Sequence, residues 1–466
     1  MNQKHSRTVF IVIFCIGLFL RLNAVRGDLW LDEIWSLNLA ASVRNISEII
    51  FKLRIDNNHI LNTLWLYFAG PLHSALVYRL PSLISSLLSL WLACFVLFRE
   101  EPLKRAFFAI LFSCSYPLVL YTTEARGYGM LILFTLLAHI SLEKLLKGTS
   151  LTALLIFWLS SLLALLSHLT FILYYLAVVI WTMVVYRERL RPAGLMKLHS
   201  VPLLSIIWLY SVFIRYLPEG TGVLMSFPDF VLRTLSVTAG GPIPSAYNIN
   251  ISLVALMTAL LFFILLCAGL YIDRKNNKNK LFFYCLVIFI LPLFVVLVLK
   301  PRVLSVRYFV LNILFSYPLL AAFFAERFSQ DRAGKLVSLL LLGAFLAGSG
   351  WYHCRFYRYQ RGQYLLALNY VKNKDSASQI TIGSDHDFRN RTMIQYFKKH
   401  TAGLDNIKYV SDNSGNVPVW YLKHTQDIYE PSSNVITVNN HSYTLKKMYD
   451  FAGLSGWRWI VYLLKN

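Results

Sequence analysis

The chain has 466 residues, 57% hydrophobic and only 15% charged, and its Lys and Arg outnumber Asp and Glu to give a net charge of +22. Soluble domains carry roughly 25% charged and 45–50% apolar residues, so this composition excludes an ordinary soluble enzyme and indicates a polytopic membrane protein. Most of the basic residues sit in short loops between apolar runs, where they set orientation, and no nucleic-acid motif accompanies them. A basic membrane protein instead suits anionic lipid or phosphate-bearing partners. The six cysteines form no CxxC or Cys/His cluster, which indicates neither a disulfide framework nor a zinc site.

A membrane span needs about 20 mostly apolar residues. Spans are expected over 8–25, 80–98, 106–122, 127–142, 151–167, 170–186, 201–217, 251–271, 281–299, 308–325 and 336–352. The N-terminus lacks a small-residue cleavage site, and Arg21 interrupts its apolar run, so it reads as a retained first span. The Lys/Arg-rich loops 99–105, 143–150, 187–200, 273–280 and 326–335 are separated by pairs of spans and fall on one side, expected to be cytoplasmic together with Lys4 and Arg7. That parity leaves the run 60–77, which contains Asn62, Pro71 and His73, as a juxtamembrane helix. Ile34–Leu53 reads as a second interfacial helix.

The expected architecture is therefore all-α in the membrane, with about eleven spans, N-terminus inside and C-terminus outside. The membrane domain covers 1–352, including a first outer loop over 26–79 with juxtamembrane helices. In the 218–250 loop a short helix is expected at Asp229–Ser236. From 353 to 466 the composition becomes that of a soluble domain. Strand-like runs at Gln379–Gly383, Ile407–Val410, Val417–Leu422, Val435–Val438 and Trp459–Leu464, with a helical Asn390–His400, indicate a small extracytoplasmic α/β domain.

The polar residues that the spans leave at the outer boundary are the candidates for chemistry. Asp32 and Glu33 lie in RGDLWLDEIWS, between Trp30 and Trp35. A carboxylate at the mouth of an apolar cavity suits proton abstraction from a hydroxyl; the bland alternative is an interfacial pair balancing Arg21 or Arg26. Arg79, Arg126 and Arg307 stand at outer ends of spans, Arg21 in the last turns of the first, and Lys300 and Arg302 add charge beside Arg307. A lone interfacial arginine usually snorkels to headgroups. Several in tight outer turns, with carboxylates nearby, fit phosphate binding, for which the guanidinium fork is suited. Glu124 either orients Arg126 or ligates a divalent cation, and Asp32 is the other candidate cation ligand. His59 and His168 either face the same cavity or serve as interfacial hydrogen-bonding residues.

The ordered set of WLDE in the first loop, His59, RLPS at 79–82, ExRxY at 124–128 and RY at 307–308 resembles the GT-C membrane glycosyltransferases. More narrowly, it resembles bacterial relatives of the dolichyl-phosphate-mannose protein mannosyltransferases and the aminoarabinose transferase of lipid A. The resemblance covers residues 1–352; the family's His-Pro-Pro-Leu is replaced here by His59-Ile60-Leu61-Asn62.

It implies a sugar donor on a polyprenyl phosphate and chemistry on the extracytoplasmic face of a bacterial inner membrane. Asp32 would be the base and Glu33 would orient the acceptor. Arg79, Arg126 and Arg307 would bind the donor phosphate or shape its pocket, with Tyr128 and Tyr308 as motif members. The family varies in metal use. A phosphate leaving group needs positive charge and the acceptor hydroxyl needs a base on the opposite face, which together imply single displacement with inversion. The acceptor, whether lipid, glycan or protein, is left open. Alternatives are another lipid-linked glycan enzyme, a polymerase or ligase, and a transporter or flippase; the second would place polar residues at mid-span.

Overall fold

The computed structural model describes residues 3–218, 225–276, 278–301, 303–411 and 414–465. Nineteen helices are described, most of them in the first 374 residues: α1 (Gln3–Ala24), α2 (Leu31–Ala41), α3 (Ile46–Phe51), α4 (Ile60–Ala69), α5 (Ala75–Phe95), α6 (Pro102–Cys114), α7 (Tyr116–Tyr121), α8 (Tyr128–Lys147), α9 (Leu151–Ser167) and α10 (Phe171–Val185). They continue as α11 (Arg187–Val212), α12 (Phe227–Thr238), α13 (Ile249–Asn276), α14 (Lys278–Cys285), α15 (Leu291–Phe294), α16 (Val310–Gln330), α17 (Arg332–Tyr359), α18 (Tyr364–Lys374) and α19 (Asp387–His400). Two π-helical stretches, Leu286–Ile290 and Val295–Leu299, flank α15.

Among the described residues, eight helical stretches are long and apolar enough to cross a membrane. The other three expected spans fall on shorter helices, α9 and α10, and on the α6–α7 pair. That pair replaces one continuous span over 106–122: Ser115 leaves the helical region, its Oγ accepts from Leu118 N at 3.4 Å, and Pro117 starts the next helix. The spans present apolar side chains outward, among them Ile11, Val12 and Phe19 on α1 and Leu256, Leu260 and Ile264 on α13. A surface of that kind is stable only against lipid.

In the first loop the expected juxtamembrane helix is α4, 10 residues long and thus about half a bilayer in reach. The interfacial helix expected over Ile34–Leu53 is instead two helices. Asn45 caps α3 by accepting from Glu48 N at 3.2 Å, and Glu48 accepts from Arg44 N at 3.0 Å, a capping arrangement that forces a new start. The helix expected at Asp229–Ser236 is α12, longer by two residues at each end.

The C-terminal part is a six-stranded sheet of β1 (Ile380–Ser384), β2 (Ile407–Tyr409), β3 (Trp420–Thr425), β4 (Val435–Val438), β5 (His441–Tyr449) and β6 (Arg458–Leu464), in the order β2-β1-β3-β6-β5-β4. β1 runs parallel to β2 and β3, and the remaining neighbours are antiparallel. β5, in a lysine-rich stretch, and α18 were not among the expected elements. The end of the membrane part at residue 352 falls inside α17, which runs on to Tyr359.

One apolar core joins the sheet to the first loop. Tyr364, Leu368, Ile382 and Trp457 share a cluster with Leu29, Trp30, Ile34 and Tyr78. Arg361, fully buried in the linker before α18, donates to the carbonyls of Ala24 at 3.0 Å and Leu120 at 3.1 Å. Gly456 lies against it: a Cβ there would stand 1.6 Å from the Arg361 carbonyl oxygen, so only glycine permits this approach. The domain is thereby held over the end of the helix bundle that carries Asp32.

Candidate active site

Asp32 and Glu33 occupy the first turn of α2, where the helix dipole favours carboxylates. Adjacent helical residues point roughly 100° apart, so the two side chains diverge. Glu33 turns inward. Its Oε1 accepts from Arg79 Nε at 2.7 Å and Ala125 N at 2.8 Å, and its Oε2 accepts from Arg79 Nη2 at 2.6 Å. Arg79 gives its remaining donors to the carbonyls of Val25, Arg26, Gly27 and Asp28 at 2.9–3.1 Å. Both side chains are wholly buried. Burial pushes the Glu33 carboxyl up, but Arg79 more than offsets it and holds the group below its ordinary value.

This geometry corrects two expectations. Arg79 has no N–H left for a donor phosphate. Glu33 does not line the cavity; it braces α2, α5 and the 122–127 turn.

Asp32 faces a cavity of about 770 Å³. Its Oδ2 accepts from Arg126 Nη1 at 2.7 Å and from Arg307 Nη1, while its Oδ1 bonds to no described residue. Arg126 stands behind it: Nη2 donates to Asn57 Oδ1 at 2.8 Å and to His59 Nε2 at 3.0 Å. Arg126 is 2% exposed and is not among the cavity-lining residues, so it anchors Asp32 from behind and does not reach the cavity. Its turn is pressed against α9, since a Cβ on Gly127 would lie 1.8 Å from the Ser167 carbonyl oxygen.

His59, whose Nε2 accepts that Arg126 bond, lies tilted against His168 with ring centroids 4.6 Å apart, and His168 lies equally close to Tyr128. Desolvation, reinforced by Arg126 and Arg307, holds both histidines well below 6.5 and therefore neutral. His59, His168 and Tyr128 form a buried support layer and do not line the cavity. Arg21 is remote as well: it binds Ser86 Oγ at 2.8 Å and the carbonyls of Gly17, Ser113 and Phe112 among α1, α5 and α6.

Glu124 is fully buried with Arg361 Nε 3.5 Å away, and burial raises its carboxyl. The two candidate cation ligands, Asp32 and Glu124, thus face guanidinium groups. Among the described residues no group of three or more His, Cys, Asp or Glu side chains could hold a metal. This donor set does not fit a divalent cation.

Arg307 and Tyr308 do line the cavity, from the 3₁₀ turn Val306–Phe309 that opens α16. The Arg307 guanidinium lies over the Trp30 and Tyr308 rings at 5.7 and 5.4 Å. Arg302 lies outside the described residues.

Sequence reading missed the opposite walls. Arg233, on α12, lines the cavity with no hydrogen-bond partner among the described residues, and its Nε is buried. Burial lowers its guanidinium, and the nearby carboxylates of Asp427 and Asp229, which line the same cavity, only partly oppose that shift. From the C-terminal domain come His386, Phe388, Arg389 and Trp457. Arg233 was visible inside an expected helix of an outer loop, but nothing in its spacing aims it at Asp32. Beside the cavity, α12 also walls an apolar groove of about 200 Å³, lined by Phe230, Leu235, Phe262, Phe289, Val296 and Phe309.

No family model matches the chain, and no curated protein does. Among solved structures it is similar to ArnT from Cupriavidus metallidurans bound to undecaprenyl phosphate. That match has 13% identity and a TM-score of 0.33, covering 99% of this chain and 98% of that one. A similarity of this size sets neither fold nor activity.

Proposed function

We propose that this protein is a membrane glycosyltransferase that moves a sugar from a polyprenyl phosphate to an acceptor hydroxyl, with inversion, on the extracytoplasmic face of a bacterial inner membrane. The observation that carries this reading is the state of Asp32: one carboxylate oxygen is pinned by Arg126 and Arg307, and the other is open to the cavity. A fixed, outward-facing carboxylate is what a general base requires.

The donor phosphate meets Arg307 and Arg233, which line the cavity and supply the positive charge a departing phosphate needs. The prenyl chain follows the neighbouring apolar groove, which shares α12 with the cavity. Trp30, Trp35 and Trp457 offer the flat apolar faces a pyranose can stack on. Asp32 Oδ1 takes the acceptor proton as its oxygen attacks the anomeric carbon, and the phosphate leaves from the other side. Arg307, paired with Asp32, links base and leaving-group sites and keeps both charges balanced through the step.

Mass spectrometry of envelope lipids and glycans, with the gene deleted and then restored, tests the reading: a sugar should disappear and return. Restoration with Asp32→Asn should fail, with transfer reduced about 100- to 10,000-fold and the protein still folded. Near-normal transfer by that variant removes the base. Movement of labelled lipid without sugar loss would favour a flippase.

A further inference from the structure

The C-terminal domain brings its own chemistry to the cavity. The carboxyl ends of the parallel strands β1 and β3, where α/β sheets present ligand sites, lead directly into the lining residues His386, Arg389 and Gln426. α19 packs on α2, with Phe388 edge-on to Trp35 at 5.8 Å, so the wall stands at a fixed distance from Asp32.

Arg389 is held there by a chain of polar groups. Its Nη1 donates to His424 Nε2 at 3.0 Å. A guanidinium only donates, so His424 carries its proton on Nδ1, which donates to Asp385 Oδ1 at 2.8 Å. Asp385 is fixed in turn by His424 N at 3.0 Å and Asn390 Nδ2 at 3.2 Å. The other Arg389 N–H groups bond to no described residue, and its guanidinium lies 5.9 Å from the Trp457 ring. Burial lowers it and Asp32, which lines the same cavity, opposes that shift. A carboxylate–imidazole–guanidinium chain ending in open donors is built to orient a fork for an oxyanion.

We propose that the C-terminal domain forms the acceptor side of the active site: Arg389, positioned by His424 and Asp385 with His386 beside it, binds a phosphate or carboxylate group of an anionic acceptor. This rests on the transferase reading above. The donor phosphate is excluded from Arg389 by its tail, because the apolar groove adjoins α12 and α16 and not α19.

The full-length protein in phosphatidylcholine nanodiscs, followed by tryptophan fluorescence, separates the two sides. Three probes are titrated: undecaprenyl phosphate for the donor head, glucose 6-phosphate as a soluble anion, and phosphatidylglycerol as a lipid-borne one. Wild type should bind undecaprenyl phosphate and at least one of the other two, which distinguishes a soluble from a lipid acceptor. Arg389→Gln and His386→Ala should weaken the acceptor-side probe about tenfold or more and leave undecaprenyl phosphate unchanged; Arg233→Gln should do the reverse. His424→Phe should match Arg389→Gln although the charge remains, as a positioning role requires. Wild-type binding of neither acceptor probe, or equal binding by Arg389→Gln, overturns the proposal. So does a loss of undecaprenyl phosphate in both Arg389→Gln and His386→Ala. Failure of wild type to bind undecaprenyl phosphate would instead overturn the donor assignment.

Discussion

Asp32 and Glu33 differ by one position, yet only Asp32 reaches the cavity, while Glu33 closes a buried ion pair with Arg79. Removing one partner of such a pair strands the other without compensation. Glu33→Gln should therefore cost about 3–5 kcal/mol of stability, read as a large fall in unfolding temperature. Asp32→Asn, which removes the counter-charge of Arg126 and Arg307, should also lower that temperature, but by less, because its amide oxygen still accepts from both arginines. A second residue-scale consequence concerns His59 and His168, which stay neutral in the folded protein well below 6.5. The unfolded chain protonates them near that value and so binds more protons. Their contribution to stability is full above about pH 6.5 and is lost as the pH falls below it. His168→Gln should make the decline in unfolding temperature between about pH 7 and pH 5 shallower than in wild type; an unchanged slope would assign acid sensitivity elsewhere. The adjacency of Asp32 and Glu33 was plain in the sequence, but their division of labour was not, because it depends on which way α2 is rotated against α5.

At the scale of elements, α12 joins the cavity to the apolar groove. It places Arg233 on one side of its axis and Val231 and Leu235 on the other, as an amphipathic helix at an interface should. A hydrogen bond to a charged group contributes about 1.5–3 kcal/mol, so Arg233→Gln should weaken undecaprenyl phosphate binding by about ten- to a hundredfold. Unaltered affinity would remove Arg233 from the donor site. Element boundaries that the apolar pattern blurred were set by caps. Asn45 with Glu48 divides α2 from α3, and Ser115 with Pro117 divides α6 from α7. Both signals are local and legible; the continuous apolar runs around them masked the breaks.

At the scale of the whole molecule, the sheet is tied to the helix bundle by Arg361, by Tyr116 Oη donating to the Gly453 carbonyl at 2.7 Å, and by Ser245 Oγ donating to Asp427 at 2.8 Å. Orientation is tested separately. A phosphatase reporter fused after Arg99 should be inactive and a cytoplasmic fluorescent one active; the converse would invert the proposed topology.

The apolar runs, the basic loops and the acidic pair specified a helical membrane protein with a small α/β appendage, because bilayer thickness and backbone satisfaction leave a chain of this composition few alternatives. The same local patterns placed arginines and carboxylates near one boundary. Only the packed structure separated the arginines that brace from behind, Arg79 and Arg126, from those that line the cavity, Arg307 and Arg233. It also brought Arg389 opposite Asp32, more than 350 positions away in the chain. Hydrogen-bond saturation and cavity exposure are properties of side chains from distant segments, and no sequence spacing encodes them.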